Sequence, residues 1–181
     1  LTVEDQIMNT FNSEAPRVFV TTYGLYNEGK QFFNDKTGFW IDCAEYDESE
    51  IIENFEQQGD HDPEIMFTDY ENFPKDLYCE SGIDFDLIAQ YEALSDDEKE
   101  LVTIVMDHVL PDFNEALENL DKFYLFDGKK SDYAAEHIHD CYEVPEYLQN
   151  YIDYDQYARD LEIDGHIIEI SYNKTLVNYG A

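Results

Sequence analysis

The pattern of hydrophobic and polar positions predicts three β-strands in the first part of the chain, and in the first of them Val18 and Val20 alternate with Phe19 and Thr21. These strands are predicted at APRVFVTTYG, FWIDCAEY and PEIMFTDYENFP. Between the last two, the segment DESEIIENFEQQG has apolar residues at helical spacing, with Asp47 or Ser49 as its N-cap and Gly59 as its stop. The segment LYNEGKQFFNDKTG is rich in Asn and Gly and is predicted to be a loop or a long hairpin connection. Residues 15–80 are therefore predicted to form a small α+β domain, after an N-terminal extension over residues 1–14.

The spacing of apolar residues becomes purely helical over residues 81–122. A first helix is predicted at SGIDFDLIAQYEAL. The second opens with Ser95 and Glu98, a capping box in which each side chain can bond a free amide of the first turn. Its apolar face is predicted to consist of Leu101, Ile104, Val105 and Val109. A third, shorter helix is predicted to open at Pro111, so this middle domain is expected to be all-helical.

Residues 123–181 return to a mixed pattern, with a strand at FYLF and a helix at SDYAAEHIHDCY. A single helix is then predicted over residues 143–165, EVPEYLQNYIDYDQYARDLEIDG, with Pro145 in its first turn and Gly165 after its end. The buried stripe of this helix is predicted to consist of Leu148, Tyr151, Ile152, Ala158 and Leu161. A terminal hairpin is predicted to turn at Asn173-Lys174. The pattern as a whole predicts an α+β fold of three small domains in series.

Negative charge is present in every segment of the chain. There are 43 acidic residues against 10 basic ones, a formal net charge of −33. The net charge is −10 over residues 1–60, −15 over residues 61–120 and −8 over residues 121–181, so the excess is not an acidic tail. Like charges spread over a folded chain oppose its compaction, so a functional reason for them is expected. The charge also argues against direct binding to nucleic acid or to an anionic membrane surface.

The cysteines and the lengths of the apolar runs indicate a compartment. Cys43, Cys79 and Cys141 lie far apart with no CxxC pair, which favours reduced thiols in a cytoplasm over a disulfide framework. No apolar run approaches the roughly 18–20 residues that cross a bilayer, and no signal-peptide pattern opens the chain. We therefore expect a cytoplasmic protein.

No motif of a catalytic or metal site is found in the sequence. His137, His139 and Cys141 cluster in HIHDC, and residues 137 and 141 share a helix face, but ordinary helix positions are the preferred interpretation over metal ligands. The segments DFD and DYD resemble pieces of a calcium loop, but neither is followed by the Gly and the Glu that such a loop requires at its sixth and twelfth positions. We therefore expect no enzyme activity, no catalytic residue, no metal and no cofactor.

A folded chain with this charge suits partners that bind polyanions. Duplex DNA carries about one negative charge per 1.7 Å of axis, and its binding proteins line their grooves with Lys and Arg. Two copies of a chain of net charge −33 correspond, at that spacing, to about 110 Å of duplex. The charge thus favours a protein that competes with DNA for an enzyme, or alternatively an acidic chaperone or scavenger of other basic DNA-binding proteins. An enzyme adapted to high salt is a third interpretation, which no catalytic motif supports.

Three blocks of the sequence resemble the ArdA antirestriction family. They are APRVFVTTYGLYNEGKQFFNDKTGFWID, DPEIMFTDYENFP and VPEYLQNYIDYDQYARDLEIDG, and they occur in family order from about residue 15 to the C-terminus. The most specific parts are YNEG at residues 26–29, LQNYIDY and YARDLE. Residues 1–14 and Ala158, where relatives are expected to carry Gly, depart from the family pattern.

The resemblance implies an architecture and a function. The architecture is an elongated, curved chain of three small domains (α+β, helical, α+β) with an acidic surface, which forms a homodimer end to end. The function is antirestriction by DNA mimicry. Such a protein is carried by a mobile element or phage, acts in the cytoplasm of a bacterial host, binds the DNA groove of type I restriction-modification enzymes and competes there with DNA.

The partner-binding surface is predicted to consist of acidic residues of the middle and last domains. These candidates are Asp84, Asp86, Glu92, Asp96, Asp97, Glu98, Glu100, Asp107, Asp112, Glu115, Glu118, Glu143, Glu146, Asp153 and Asp155. Within residues 143–165, the further acids Asp160, Glu162 and Asp164 are candidate replacements for phosphates. Acids near a helix start are also favoured simply by the helix dipole, and no single acid is expected to be essential because many screened contributions add up.

The dimer contact of the C-terminal domain is expected from the resemblance to lie around the block VPEYLQNYIDY. Its candidate residues are Val144, Pro145, Leu148, Tyr151 and Ile152. The alternative is that Leu148 and Ile152 belong to the hydrophobic core of their own chain.

Overall fold

The computed structural model describes residues 15–28, 38–57 and 59–181, so the predicted N-terminal extension lies outside the described residues. The chain divides into two compact units, the first ending at Lys99 and the second beginning at Glu100. Each unit contains a three-stranded antiparallel sheet together with helices. The fold is therefore mixed α and β, as predicted, while the three-domain division and its elongated arrangement stay predictions.

The sheet of the first unit has β1 (Arg17–Thr22) in the centre, between β2 (Phe39–Asp42) and β3 (Ile65–Glu71). Both neighbours run antiparallel to β1, which pairs Phe19 with Trp40 on one side and Arg17 with Glu71 on the other. These are the three strands that the sequence predicts.

The helices of the first unit each contribute buried side chains to one hydrophobic core with the sheet. They are α1 (Tyr23–Glu28), α2 (Glu48–Gln57) and α3 (Phe85–Glu92), with a short 3-10 turn at Lys75–Leu77. The Asp47 carboxylate accepts the Glu50 amide at 2.9 Å, so Asp47 and not Ser49 caps α2. The hydrophobic core joins Val18 and Val20 of β1 to Ile51 and Phe55 of α2.

Two expectations for the first unit were wrong. Helix α1 replaces the end of the first predicted strand, residues 23–24, and the start of the predicted loop, residues 25–28, because the Thr22 hydroxyl accepts the Leu25 amide at 3.2 Å and the Leu25 side chain is buried in the core. Strand β2 is shorter than predicted: the Asp42 carboxylate accepts the Ala44 amide at 2.9 Å, an Asx-type turn that ends the strand at Asp42. The rest of the predicted loop, residues 29–37, lies outside the described residues.

The second unit begins within α4 (Asp96–His108) and contains a sheet of order β4-β6-β5. Its strands are β4 (Phe123–Phe126), β5 (Ile167–Ser171) and β6 (Lys174–Asn178), all paired antiparallel. Its further helices are α5 (Phe113–Glu118), α6 (Lys130–Cys141), α7 (Glu146–Gln149) and α8 (Tyr154–Ile163). The core of α6, α8 and the sheet consists of Tyr133, Ala134, Ala158, Leu161, Ile167 and Val177.

The single helix predicted over residues 143–165 is in fact two helices, α7 and α8. The chain turns between them, where the Tyr151 amide donates to the Leu148 carbonyl at 2.9 Å. The Asp153 carboxylate then accepts the Gln156 amide at 2.9 Å and starts a new helix. Pro145 is accordingly the N-cap of the short helix α7 and not a first-turn residue of a long one.

Because of this break, the buried stripe predicted along residues 143–165 is wrong for the residues before α8. Ala158 and Leu161 are buried, as predicted, and α8 ends before Gly165, which has the positive φ of 81° expected at a helix C-terminus. Leu148 and Tyr151 are exposed, because a stripe keeps its direction only along one unbroken helix.

Three smaller expectations for the helices and the hairpin were also wrong. Of the face predicted for α4, Val105 is buried, but Leu101, Ile104 and Val109 are only half-buried. Val102 and Met106 are buried with Val105, because LVTIVM is so rich in apolar residues that their spacing alone does not show which side of the helix faces the core. Helix α5 is capped by Asp112, one residue after Pro111, and begins at Phe113. The terminal hairpin turns one residue earlier than predicted, since β6 already begins at Lys174. In the described part of the chain no helix is both long and apolar enough to cross a membrane.

Candidate functional site

The fifteen acidic residues predicted for the partner-binding surface all have exposed side chains. Six of them, from Asp84 to Glu98, belong to the first unit, and nine, from Glu100 to Asp155, belong to the second. They lie in helices α3, α4, α5, α7 and α8 or within a few residues of the start of one of them. The candidates are therefore accessible to a partner in both units.

Helix starts fix the position of several of these carboxylates. The Asp84 carboxylate accepts the Leu87 amide at 3.1 Å, and Asp112 accepts the Glu115 amide at 2.9 Å, as Asp153 does for α8. Each of these bonds satisfies an amide that has no partner inside the helix, and the positive end of the helix dipole favours the negative charge. These acids are thus structural caps and exposed charges at the same time.

The predicted capping box of α4 is confirmed. Ser95 donates its backbone amide and its hydroxyl to the Glu98 carboxylate, at 2.9 and 2.7 Å, and the Glu98 amide donates to the Ser95 hydroxyl at 3.4 Å. The two bonds from Ser95 favour the charged form of the carboxyl and lower the pKa of Glu98. Glu98 is therefore held in place as a carboxylate.

In the first unit, a groove of about 430 Å³ brings together three acidic residues, two of which belong to the predicted surface. We call it the first acidic groove, and its charged lining residues are Asp47, Asp84 and Asp86. Asp47 caps α2 and Asp84 caps α3, so the starts of two helices meet at this groove. Of the three acids, Asp47 is absent from the predicted surface, because its cap signal in the sequence does not show that α2 and α3 start side by side.

In the second unit, a groove of about 540 Å³ is lined by the starts of α6 and α8. We call it the second acidic groove, and its charged lining residues are Asp132, Asp153 and Asp155. Asp132 accepts the Lys129 amide at 3.3 Å in the first turn of α6. The groove also includes Tyr151 and Ile152 of the predicted dimer contact, together with Tyr154. The structure thus brings two predicted acids and two predicted contact residues into one place.

Two of the predicted surface acids are balanced by a neighbouring lysine. Lys99 pairs with Glu92 at 3.1 Å in the first unit, and Lys174 pairs with Glu100 in the second. The pKa of Lys174 is raised, mainly by this bond. A cationic partner would have to compete with these lysines, so Glu92 and Glu100 are weaker candidates than the acids of the two grooves.

The further candidate Glu162 is balanced in the same way. Lys130 lies between Glu162 at 2.8 Å and Glu169 at 2.9 Å, and these two carboxylates raise its pKa. Near the second acidic groove, the pKa of Lys129 is raised first by its hydrogen bond to Tyr172 and to a lesser extent by nearby carboxylates. Glu162 therefore contributes less negative charge to the surface than the sequence predicts.

The sequence prediction missed an acidic stripe on α6. Asp132, Glu136 and Asp140 are all exposed and recur every four residues, so they lie on one face of the helix. The four-residue spacing of Asp132, Glu136 and Asp140 within SDYAAEHIHD is the sequence signal for this stripe.

The predicted dimer contact is largely exposed on the isolated chain. Leu148 is 43 % exposed and Tyr151 85 % exposed, and Tyr147 beside them is 73 % exposed. Pro145 is exposed as well, while Val144 and Ile152 are half-buried. Leu148 is thus not a core residue of its own chain, so the alternative that Leu148 belongs to the hydrophobic core is excluded.

The cluster HIHDC places two of its three side chains together, as the helix spacing predicts. The His137 Nε2 atom and the Cys141 Sγ atom are 3.7 Å apart, and the other ring nitrogen of His137 is 3.0 Å from the Tyr157 hydroxyl. His139 is exposed. Across the described ranges, no group of three or more His, Cys, Asp or Glu side chains is placed to hold a metal ion.

Comparison with known proteins gives one finding. The sequence model of the ArdA family, whose description is antirestriction protein, matches residues 18–174. The matched range runs from the second residue of β1 to the first residue of β6, and it includes all eight α-helices named above and both acidic grooves. A comparison with curated proteins finds no match.

Proposed function

Because the chain belongs to the ArdA antirestriction family, we propose that it is a DNA mimic that occupies the DNA-binding groove of type I restriction-modification enzymes and competes there with DNA. The function of the family is antirestriction, which implies an interaction with restriction-modification enzymes. The observation that supports the mimic mechanism is the gathering of exposed carboxylates at paired helix starts, in the first and second acidic grooves.

The chemistry of the two grooves suits side chains that normally bind phosphate. A guanidinium group binds a carboxylate in the same two-pronged geometry as a phosphate, and a lysine ammonium binds either as a point charge. The caps of α3 and α8 hold Asp84 and Asp153 in fixed directions, so less side-chain freedom is lost on binding. In the second acidic groove, Tyr151 and Tyr154 add aromatic rings on which an arginine can stack.

The net charge adds a long-range contribution to these local contacts. With a formal charge of −33, the chain attracts a positively charged groove from a distance and repels DNA itself. Such steering raises the rate of association and weakens as salt is added, because exposed charges more than about 10 Å apart are screened at 0.1 M salt. Charge therefore accounts for the speed of capture, and the shape of the acidic surface for its selectivity.

We further propose that the protein acts as a homodimer, through the contact predicted at Val144, Pro145, Leu148, Tyr151 and Ile152. The exposure of Leu148 and Tyr151 supports this assignment, because adjoining large apolar and aromatic side chains on a surface favour a protein contact. The contact borders the second acidic groove, since Tyr151 and Ile152 belong to both.

The test is a competition experiment with a type I methyltransferase core bound to a labelled DNA duplex. Purified protein should displace the duplex at stoichiometric concentrations, and the displacement should weaken as salt rises. Displacement that needs only substoichiometric protein, or that leaves a cleaved target, would indicate an enzyme and contradict the mimic mechanism. Equal affinity for a histone-like protein and for the methyltransferase core would instead favour a general scavenger of basic proteins.

A further inference from the structure

We propose that His137 and Cys141 form a binding site for one thiophilic divalent metal ion of the Zn²⁺ class. Both residues belong to α6, four positions apart, so their side chains leave the helix on the same face. Cys141 is the last residue of the helix, and its side chain is exposed, so an ion can reach the thiol from solvent. This site is separate from the two acidic grooves, and no part of the proposed DNA mimicry depends on it.

The distance between the two donor atoms matches what one metal ion requires. Zinc lies about 2.3 Å from a thiolate sulfur and about 2.0–2.1 Å from an imidazole nitrogen, and its usual geometry is tetrahedral. At a tetrahedral angle, these two bonds place the sulfur and the nitrogen about 3.6 Å apart. The observed distance from Nε2 to Sγ is 3.7 Å, close to the separation that one metal ion requires.

A second helix orients the imidazole. The Tyr157 hydroxyl, from α8, is 3.0 Å from Nδ1 of His137, and the imidazole also contacts the rings of Tyr133 and Tyr157. When Nδ1 carries the ring proton and its N–H donates a hydrogen bond to the Tyr157 hydroxyl, Nε2 on the Cys141 side keeps a lone pair that can bind a metal. A hydrogen bond from the second ring nitrogen is the usual way in which proteins fix a histidine ligand.

The electrostatic surroundings favour a cation at this position. The carboxyl end of α6 bears the negative end of its helix dipole, and the chain as a whole is strongly negative. On binding, the metal replaces the thiol proton, which passes to the buffer, so that the sulfur coordinates as a thiolate. With two protein ligands, water occupies the remaining coordination positions, and these stay open to a further ligand.

Spectroscopy with Co²⁺ distinguishes this site from loose binding to carboxylates. Cobalt bound to a thiolate gives an intense near-ultraviolet charge-transfer band that cobalt bound to carboxylates lacks. Reduced protein is titrated with Co²⁺ in excess Mg²⁺, which occupies the oxygen ligands, and Zn²⁺ is then added to displace the cobalt. We expect the band in the wild type, its loss on addition of Zn²⁺, and its absence in Cys141→Ser. The matched control is Cys79→Ser, which removes the other exposed thiol and should leave the band unchanged.

Two further variants test the histidine and its orientation. His137→Gln should weaken Co²⁺ binding at least about tenfold, and Tyr157→Phe, which keeps the ring and removes the hydroxyl, about 10–100-fold. Far-UV circular dichroism checks the fold of each variant, and if His137→Gln does not fold, Tyr157→Phe decides. The proposal is overturned if the wild type gives no band, if the band persists in Cys141→Ser, or if Tyr157→Phe binds Co²⁺ as tightly as the wild type.

Discussion

Removing the negative charge from Asp84 and Asp153 while keeping their hydrogen bonds should separate the two roles of the capping acids. Each carboxylate accepts the amide of the third residue after it, at 3.1 Å for Asp84 and 2.9 Å for Asp153, and each lines one acidic groove. Asparagine is as good an N-cap as aspartate, and alanine is a poor one. The double variant Asp84→Asn/Asp153→Asn therefore keeps both caps and loses two charges. The matched variant Asp84→Ala/Asp153→Ala loses the two caps as well as the two charges.

The expected magnitudes differ between stability and binding. Each Asp→Ala change costs about 1 kcal/mol of unfolding free energy, so the alanine variant should lose about 2 kcal/mol. The asparagine variant loses a helix-dipole contribution of about 0.3–1 kcal/mol per site, which the relief of charge repulsion in so acidic a chain offsets. For binding, an exposed charge pair contributes about 0.2–1 kcal/mol, so both variants should compete with DNA about 2- to 30-fold less well.

Two assays measure these effects on the same protein samples. Urea unfolding followed by circular dichroism reports the caps, because urea is uncharged and leaves electrostatic interactions unscreened. Displacement of a labelled duplex from a type I methyltransferase core, at fixed salt, reports the charges. If the asparagine variant displaced DNA as well as the wild type, the groove carboxylates would not belong to the contact. If it unfolded as easily as the alanine variant, the cap bonds would not explain the positions of these acids.

Three further predictions follow from single features of the structure. Ser95→Ala should raise the pKa of Glu98 toward its ordinary value, as measured in an NMR titration. In the wild type, the lowered pKa of Glu98 stabilises the fold fully at pH values above the pKa of the unfolded state. This stabilisation is lost as the pH falls through the pKa of the folded state. Leu148→Glu should leave the urea midpoint unchanged and dissociate the proposed dimer in sedimentation experiments, whereas Leu161→Ala, in the core, should cost about 2–5 kcal/mol. Because burial raises the pKa of the Cys43 thiol to about 12, a thiol reagent should label the two exposed cysteines first and Cys43 only after unfolding.

The features that could be predicted from the sequence are those fixed by neighbours along the chain. The capping box of Ser95 and Glu98 and the helix stop at Gly165 depend on hydrogen bonds and backbone angles within a few residues. The strands of both sheets follow from short runs rich in β-branched and aromatic residues that are bounded by turn residues. The family resemblance was recognisable for a related reason, since its specific blocks are short and contiguous.

The break between α7 and α8 could not be predicted with the same rules, because two helix starts compete there. Pro145 and Asp153 are both good start signals, and the apolar spacing from Leu148 to Leu161 is compatible with one helix. The structure begins a new helix at Asp153, which lets Ala158 and Leu161 pack against α6 and the sheet. That choice depends on contacts between residues far apart in the sequence, and spacing does not contain them.

The residues that line each acidic groove could not be predicted from the sequence for the same reason. Asp132 and Asp153 are 21 positions apart in the sequence, and they line one groove only because the starts of α6 and α8 lie side by side. Asp47 and Asp84 meet in the first unit in the same way. In the sequence, each of these residues is only a helix cap or one acid among many, and nothing near it along the chain indicates its neighbours in the groove.

The pairing of helix starts also explains how a chain with a net charge of −33 can place carboxylates close together and still fold. Neighbouring carboxylates repel one another, and in a polyanion this repulsion opposes every compact arrangement. At a helix start, the same carboxylate accepts an amide that would otherwise lack a partner and lies at the positive end of the helix dipole. Two helix starts side by side therefore supply a local positive field where the acids gather. The side chains proposed to present negative charge to a partner are thus the ones that the backbone stabilises most directly.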